Sequence, residues 1–266
     1  MSVRTIQANG IRIAYRFDGP ETAPVVMLSN SLMADMSMWE PQMAALSAHF
    51  RVLRADTRGH GQTEVTPAPY SIALLAQDAI ALLDALGIAK VHFVGLSKGG
   101  MIGQYLGARH PGRIASLTLC DTASEMPTHA MWDQRLQTAR EAGTAGLVDG
   151  TLQRWFTPGF AQRAPQEIGK VRTMILGTPV EGYIGCASAV RNMSQTGLLR
   201  DIHVPTHIIV GESDPACTVE QSRVLHEHII GSTMAVLPDS AHLSNIEQPE
   251  LFNRELLGFL ELQLKK

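Results

Sequence analysis

Cysteine is scarce in this chain. Three thiols, Cys120, Cys186 and Cys217, stand in 266 residues. The number is odd and no spacing resembles a metal-ligand set. Disulfide scaffolds and zinc sites are therefore disfavoured, and reduced thiols in a cytoplasmic protein are expected. Long apolar runs are missing too: no stretch approaches the roughly 20 residues that a membrane span needs. Residues 1–10 contain no apolar signal core. There is no excess of positive charge. The net charge is −3, so no basic face advertises nucleic acid or an anionic membrane. Repeats and low-complexity tracts are absent. The hydrophobic content of 45% is that of a globular chain long enough to bury a substantial core.

Short apolar runs alternate with amphipathic segments. Residues 3–17 alternate around Asn9-Gly10 and read as a β-hairpin. Residues 25–28, 51–56, 91–96 and 114–120 read as strands, the first fully apolar as inside a parallel sheet. Helices are expected over 39–50, over 70–86 with Gly87 as the stop, and from the end of the 91–96 strand to Arg109. From residue 122 to about 199 no convincing strand appears. Two of the three tryptophans, Trp132 and Trp155, lie there, among short helical patterns divided by glycine and proline. Strand rhythm returns at 206–211 and 234–237, with helices over 219–228 and 249–264. The expected fold class is α/β, a mostly parallel doubly wound sheet. Residues 1–121 and 201–266 form its core and residues 122–200 a helical cap.

One stretch carries chemistry. The strand at 91–96 runs into Gly95-Leu96-Ser97-Lys98-Gly99, a G-x-S-x-G pattern between a strand and a helix. A serine on such a turn projects above the sheet, and its neighbours must be small where the strand and helix backbones meet. A serine hydroxyl needs a base, and the base an orienting carboxylate. The chain order Ser97, Asp214, His242 matches the Ser…Asp…His order of α/β hydrolases, and each residue follows an expected strand. His60 is the rival base by position, and Asp121 and Asp239 are rival acids. The oxyanion donors would be the backbone N–H groups of Lys98 and Leu32. Because the donors are main-chain, a lysine is permitted at 98. Its ammonium either pairs with a carboxylate away from the site or adds charge near an acidic substrate.

The Gly-Leu-Ser-x-Gly-Gly elbow, the loop Leu28-Ser29-Asn30-Ser31-Leu32, Asp56-Thr57-Arg58-Gly59-His60-Gly61 and Ser240-Ala241-His242-Leu243-Ser244-Asn245-Ile246-Glu247 resemble the 3-oxoadipate enol-lactonase family of α/β hydrolases. The resemblance extends over nearly the whole chain. In the cap it rests on Met131-Trp132 with Arg135, Arg154-Trp155-Phe156-Thr157, Glu181-Gly182-Tyr183, and Cys186-Ala187 through Arg191. It implies an α/β-hydrolase fold and hydrolysis of a small enol lactone bearing a carboxymethyl arm, in aromatic catabolism through the β-ketoadipate pathway. No metal or organic cofactor is required. An anionic substrate needs a cation, and Arg135 and Arg191 are the candidates. Trp132, Trp155 and Tyr183 are candidate pocket walls. Expected partners are a small lactone or ester and no nucleic acid or membrane; a homo-oligomer is compatible with the composition. A small-ester carboxylesterase and a cofactor-free haloperoxidase-like esterase fit the same residues. A non-catalytic small-ligand receptor on the same fold is the reading from another class. A haloalkane dehalogenase is excluded, because an aspartate would replace Ser97.

Overall fold

The computed structural model describes residues 2–126 and 129–265. Pro127 and Thr128, inside the expected cap, lie outside that description. Strands β1 (Arg4–Ala8) and β2 (Ile11–Asp18) form the expected hairpin. Asn9 and Gly10 both take left-handed backbone, φ 49° and 74°, as the tight two-residue turn requires. Then follow β3 (Val25–Ser29), β4 (Arg51–Ala55), β5 (Val91–Leu96), β6 (Ile114–Cys120), β7 (Thr206–Gly211) and β8 (Thr233–Leu237). They make an eight-stranded sheet in the order β1-β2-β4-β3-β5-β6-β7-β8. Only the pairings of β2 are antiparallel. Every residue of β5 and β7 is buried, as expected of parallel strands covered on both faces. Strand order reverses between β3 and β5. The loops leaving their carboxyl ends therefore diverge and open a crevice there.

The core helices are α1 (Glu40–Leu46), α2 (Ile72–Ala85) and α3 (Lys98–Arg109). Ser71 caps α2 by accepting from Leu74 N. At its other end Ile88 N reaches back to Leu83 O at 2.8 Å around Gly87. The first helix is shorter than its apolar pattern suggests. A 3-10 turn, Met36–Trp39, precedes it. It stops at Leu46, where Ser47 turns its hydroxyl onto Met43 O at 2.6 Å. Between β6 and β7 the described residues hold α4 (His129–Ala142), α5 (Val148–Trp155), α6 (Pro158–Arg163), α7 (Pro165–Leu176) and α8 (Val180–Arg191). Their strand content is one isolated bridge, Glu125 with Ser194. Helices α9 (Val219–His228), α10 (Ser244–Glu247) and α11 (Pro249–Leu264) complete the chain. The short α10 has no counterpart in the sequence reading, because one helical turn carries no period to detect.

The glycine-rich turn after β4 is held from below. Arg58 Nε and Nη2 donate to the two carboxylate oxygens of Asp78 on α2, at 2.8 and 2.6 Å. Both side chains are buried. Removing one partner leaves the other charge stranded. Arg58→Ala is expected to cost about 3–5 kcal/mol, read as a loss in denaturant midpoint. A midpoint within error of the parent would show that the pair is not structural.

Candidate active site

The site is built on the turn from β5 into α3. Ser97 takes φ 55° and ψ −115°, a region that costs a non-glycine residue of order 1–3 kcal/mol. Hydrogen bonds on both sides hold it there. Ser97 N donates to Cys120 O at 2.9 Å, and Ser97 O accepts from Met101 N at 3.0 Å and from Thr122 Oγ1 at 2.8 Å. A Cβ on Gly95 would overlap Gly99 O, and one on Gly99 would overlap Ser29 O. The small neighbours of Ser97 are thus demanded by backbone contact, on the β5 side and on the β3 side.

Ser97 and His242 line one cavity of about 370 Å³. His242 Nδ1 lies 2.8 Å from Asp214 Oδ2. A carboxylate only accepts, so Nδ1 carries the proton and Nε2 keeps its lone pair. Asp214 Oδ1 is held by the N–H groups of Ala216 and Cys217 at 2.7 and 3.0 Å. Burial works against an imidazolium at His242. The charges of Asp214 and Asp121 outweigh it, and the imidazole sits above its ordinary value. Asp121 makes no bond to His242. It accepts from Gly211 N at 2.8 Å and from Ser244 Oγ at 2.6 Å, and burial beside Asp214 raises its carboxyl. The His242 loop is clamped to the helical segment. Leu243 N donates to Trp155 O at 3.1 Å, and the buried Glu247 accepts from Thr157 and from Ala241 N.

The loop after β3 is fixed from behind. Asn30 bridges Ala55 O and Trp39 Nε1. Met33, in left-handed backbone with φ 63°, donates its N–H to His60 Nε2 at 3.1 Å. Burial, helped by the charge of Lys98, holds the His60 imidazole well below its ordinary value. His60 is therefore a neutral acceptor that positions this loop. Among the described residues the neighbouring N–H of Leu32 has no acceptor. The N–H of Lys98, first in α3, has no intrahelical partner by construction. Both are available to an oxyanion.

The Lys98 side chain meets neither expectation. It is fully buried and does not line the cavity, and among the described residues its Nζ has no hydrogen-bond partner. Burial lowers its basicity, against the opposing pull of Cys186 and Asp56.

The structure brings Trp132, Arg135 and Trp155 to the cavity wall. The Trp155 ring lies 6.2 Å from the His242 ring. Tyr183 is fully buried behind the wall, and its hydroxyl accepts from Arg135 Nε at 3.2 Å. Arg135 also reaches Thr151 Oγ1 at 3.3 Å. It has no carboxylate partner among the described residues. Arg191 is not brought to the cavity. Its guanidinium is bidentate to Asp133 on α4, at 2.6 and 2.9 Å. Ser31, Arg154 and Cys217, noted in the sequence without a substrate-binding role, also line the cavity, as does Gln221, which the sequence did not mark. Among the described residues the buried Ser31 Oγ and Trp132 Nε1 have no hydrogen-bond partner. Cys217 lies with Asp214 and His242, their ligand-type atoms within 4.8 Å of one another. Burial and the nearby acids hold its thiol well above the ordinary value, so it is no nucleophile.

The family model of the alpha/beta hydrolase fold matches residues 24–249. The chain belongs to the α/β-hydrolase family. This α/β hydrolase is 36% identical, over 98% of its length and 97% of the relative's, to 3-oxoadipate enol-lactonase 1 of Acinetobacter baylyi. The solved enol-lactonase of Burkholderia xenovorans superimposes with a TM-score of 0.95 at 41% identity, covering 97% of this chain and 100% of that one. A thermophilic esterase from Thermogutta terrifontis, solved with malate bound, gives 0.92 at 28% identity over 99% of both chains. The α/β hydrolase described here is accordingly a carboxylic-ester hydrolase that acts on a small molecule. Among the described residues no helix is long and apolar enough to cross a membrane.

A buried cation with no partner is a stability defect. Lys98→Met keeps the length and apolar stem and removes the charge. It is expected to stabilise the fold by about 1–4 kcal/mol, read as a higher Tm. A fall in Tm would show that the ammonium is structurally compensated.

Proposed function

We propose that the enzyme opens a small enol lactone bearing a carboxylate arm, by acyl transfer through Ser97 to water. The observation that carries this reading is Arg135. It is a cation without a carboxylate partner, set in the wall of the cavity that holds Ser97 and His242. A fork-shaped donor suits a carboxylate. The names of the relatives support the lactone, and the malate held by the solved esterase agrees with an anion-accepting cavity.

In this mechanism Ser97 Oγ attacks the ring carbonyl while His242 Nε2 takes its proton. Asp214 holds the imidazole and favours the imidazolium that forms. The N–H groups of Leu32 and Lys98 receive the tetrahedral oxyanion, each worth about 3–4 kcal/mol in the transition state. Collapse breaks the ring C–O bond and releases an enolate, which takes the proton held on His242 Nε2 and tautomerises to a ketone. The product stays tethered as an acyl-enzyme. His242 then draws a proton from water, which attacks the acyl carbonyl; collapse breaks the bond to Ser97 Oγ, returns the proton to that oxygen and frees a dicarboxylate.

Two experiments test this reading. Ser97→Ala is expected to lower kcat on the carboxylate-bearing lactone by roughly 10⁴–10⁶. Arg135→Ala should lower kcat/KM for that lactone about tenfold more than for a neutral lactone of the same ring, as befits one lost charge-assisted contact. Equal losses on both substrates would remove the carboxylate from the account. The pH profile is a separate check. His242 must be neutral to act as base, and it sits above its ordinary value. The acid limb of kcat/KM is therefore expected to have its midpoint above about 6.5. A midpoint below that value would contradict the assignment of His242.

A further inference from the structure

Arg154 has no part in the chemistry above. It is half-buried near the end of α5 and lines the cavity with Ser97. Among the described residues it makes no ion pair and no hydrogen bond. It also lines a second cavity, of about 210 Å³, between α4 and α5. That space faces solvent, since Gln134, Gly146 and Gly150 in its wall are exposed. Met131, Arg135 and Arg154 line both cavities. One layer of side chains therefore separates the solvent-facing space from the catalytic one.

The three side chains differ in freedom. Arg135 is tied to Tyr183 and Thr151. Met131 is 38% exposed, with an unbranched thioether that changes rotamer at little cost. Arg154 is untied. The acid on its own helix does not quench it, because Asp149 pairs with Arg172 at 2.8 Å. We propose that the seam between α4 and α5 is the door through which substrate reaches Ser97. Met131 is its movable leaf. Arg154 is the outer cation that meets a substrate carboxylate in solvent and hands it to Arg135. The door rests on the geometry alone, and the role of Arg154 rests on the carboxylate reading above. Two cations in series across a thin partition attract an anion inward and raise its rate of capture.

The test compares the carboxylate-bearing lactone with its neutral analogue at low and at physiological salt. In the parent enzyme, kcat/KM for the anion is expected to fall with salt. Arg154→Glu should lower kcat/KM for the anion about tenfold more than for the neutral lactone, and flatten or invert the salt dependence. Met131→Trp fills the partition and should lower kcat/KM for both substrates, with Tm as the check on folding. Equal effects of Arg154→Glu on the two lactones, with the parent salt slope retained, would overturn the steering role while leaving Arg135 untouched. Parent-like kcat/KM for both substrates in a folded Met131→Trp enzyme would overturn the door. If the parent enzyme itself shows no preference for the anion, the carboxylate reading fails, and the Met131→Trp result still decides the door.

Discussion

Two backbones touch where β5 turns into α3, and the site depends on that contact. Gly95 lies against Gly99, and Gly99 lies against Ser29 at the end of β3. The first approach forces Ser97 into its strained conformation and starts α3 with a free N–H at Lys98. The second locks the elbow to the strand from which the Asn30-Ser31-Leu32 loop departs. One steric constraint therefore sets Ser97 and the free N–H groups of Leu32 and Lys98 in register. A side chain at either glycine would separate them, and such donors lose their value when they are displaced by a fraction of an ångström.

Around this contact, the buried charged side chains other than Lys98 have partners, whereas the two arginines in the cavity wall have no carboxylate among the described residues. Arg54 pairs with Asp18 and Glu40, and Arg58 with Asp78. His60 supports Met33, and Glu247 ties the His242 loop to Thr157. In the cavity wall, among the described residues, Arg135 and Arg154 have no carboxylate partner. Two unpaired cations gathered in one wall beside Ser97 match what the proposed anionic substrate requires of a site. Lys98 breaks this pattern, since its unspent charge lies away from the cavity. Nothing in the structure explains why a lysine stands there.

Much of the fold was legible because its signals are local. The strands at 114–120 and 206–211 and the helices at 219–228 and 249–264 are bounded by glycine, proline or a capping threonine, and form where the pattern places them. The convergence of Ser97, Asp214 and His242 was legible for a related reason, as each follows a strand whose carboxyl end lies on one edge of the sheet. What failed is set by distance in the chain. Arg191 and Arg154 are both arginines near helix ends. Only the folded chain shows that Asp133, 58 positions earlier, takes Arg191 while Arg154 faces the cavity. Tyr183 looked like a wall and is a strut, because Arg135 stands in front of it. The burial of Lys98 is likewise decided by the loop around Asp56 and His60 and by Cys186, none of them near it in the chain.

The central claim is that the cavity above Ser97 holds an uncompensated cation that selects a carboxylate. The most direct measurement is competitive inhibition of ester hydrolysis by adipate and by its uncharged diamide, in the parent enzyme and in Arg135→Ala. The parent enzyme is expected to bind adipate about tenfold or more tightly than the diamide, as one charge-assisted contact supplies. Most of that gap should disappear with Arg135. Equal inhibition constants for the two ligands in the parent enzyme would contradict it.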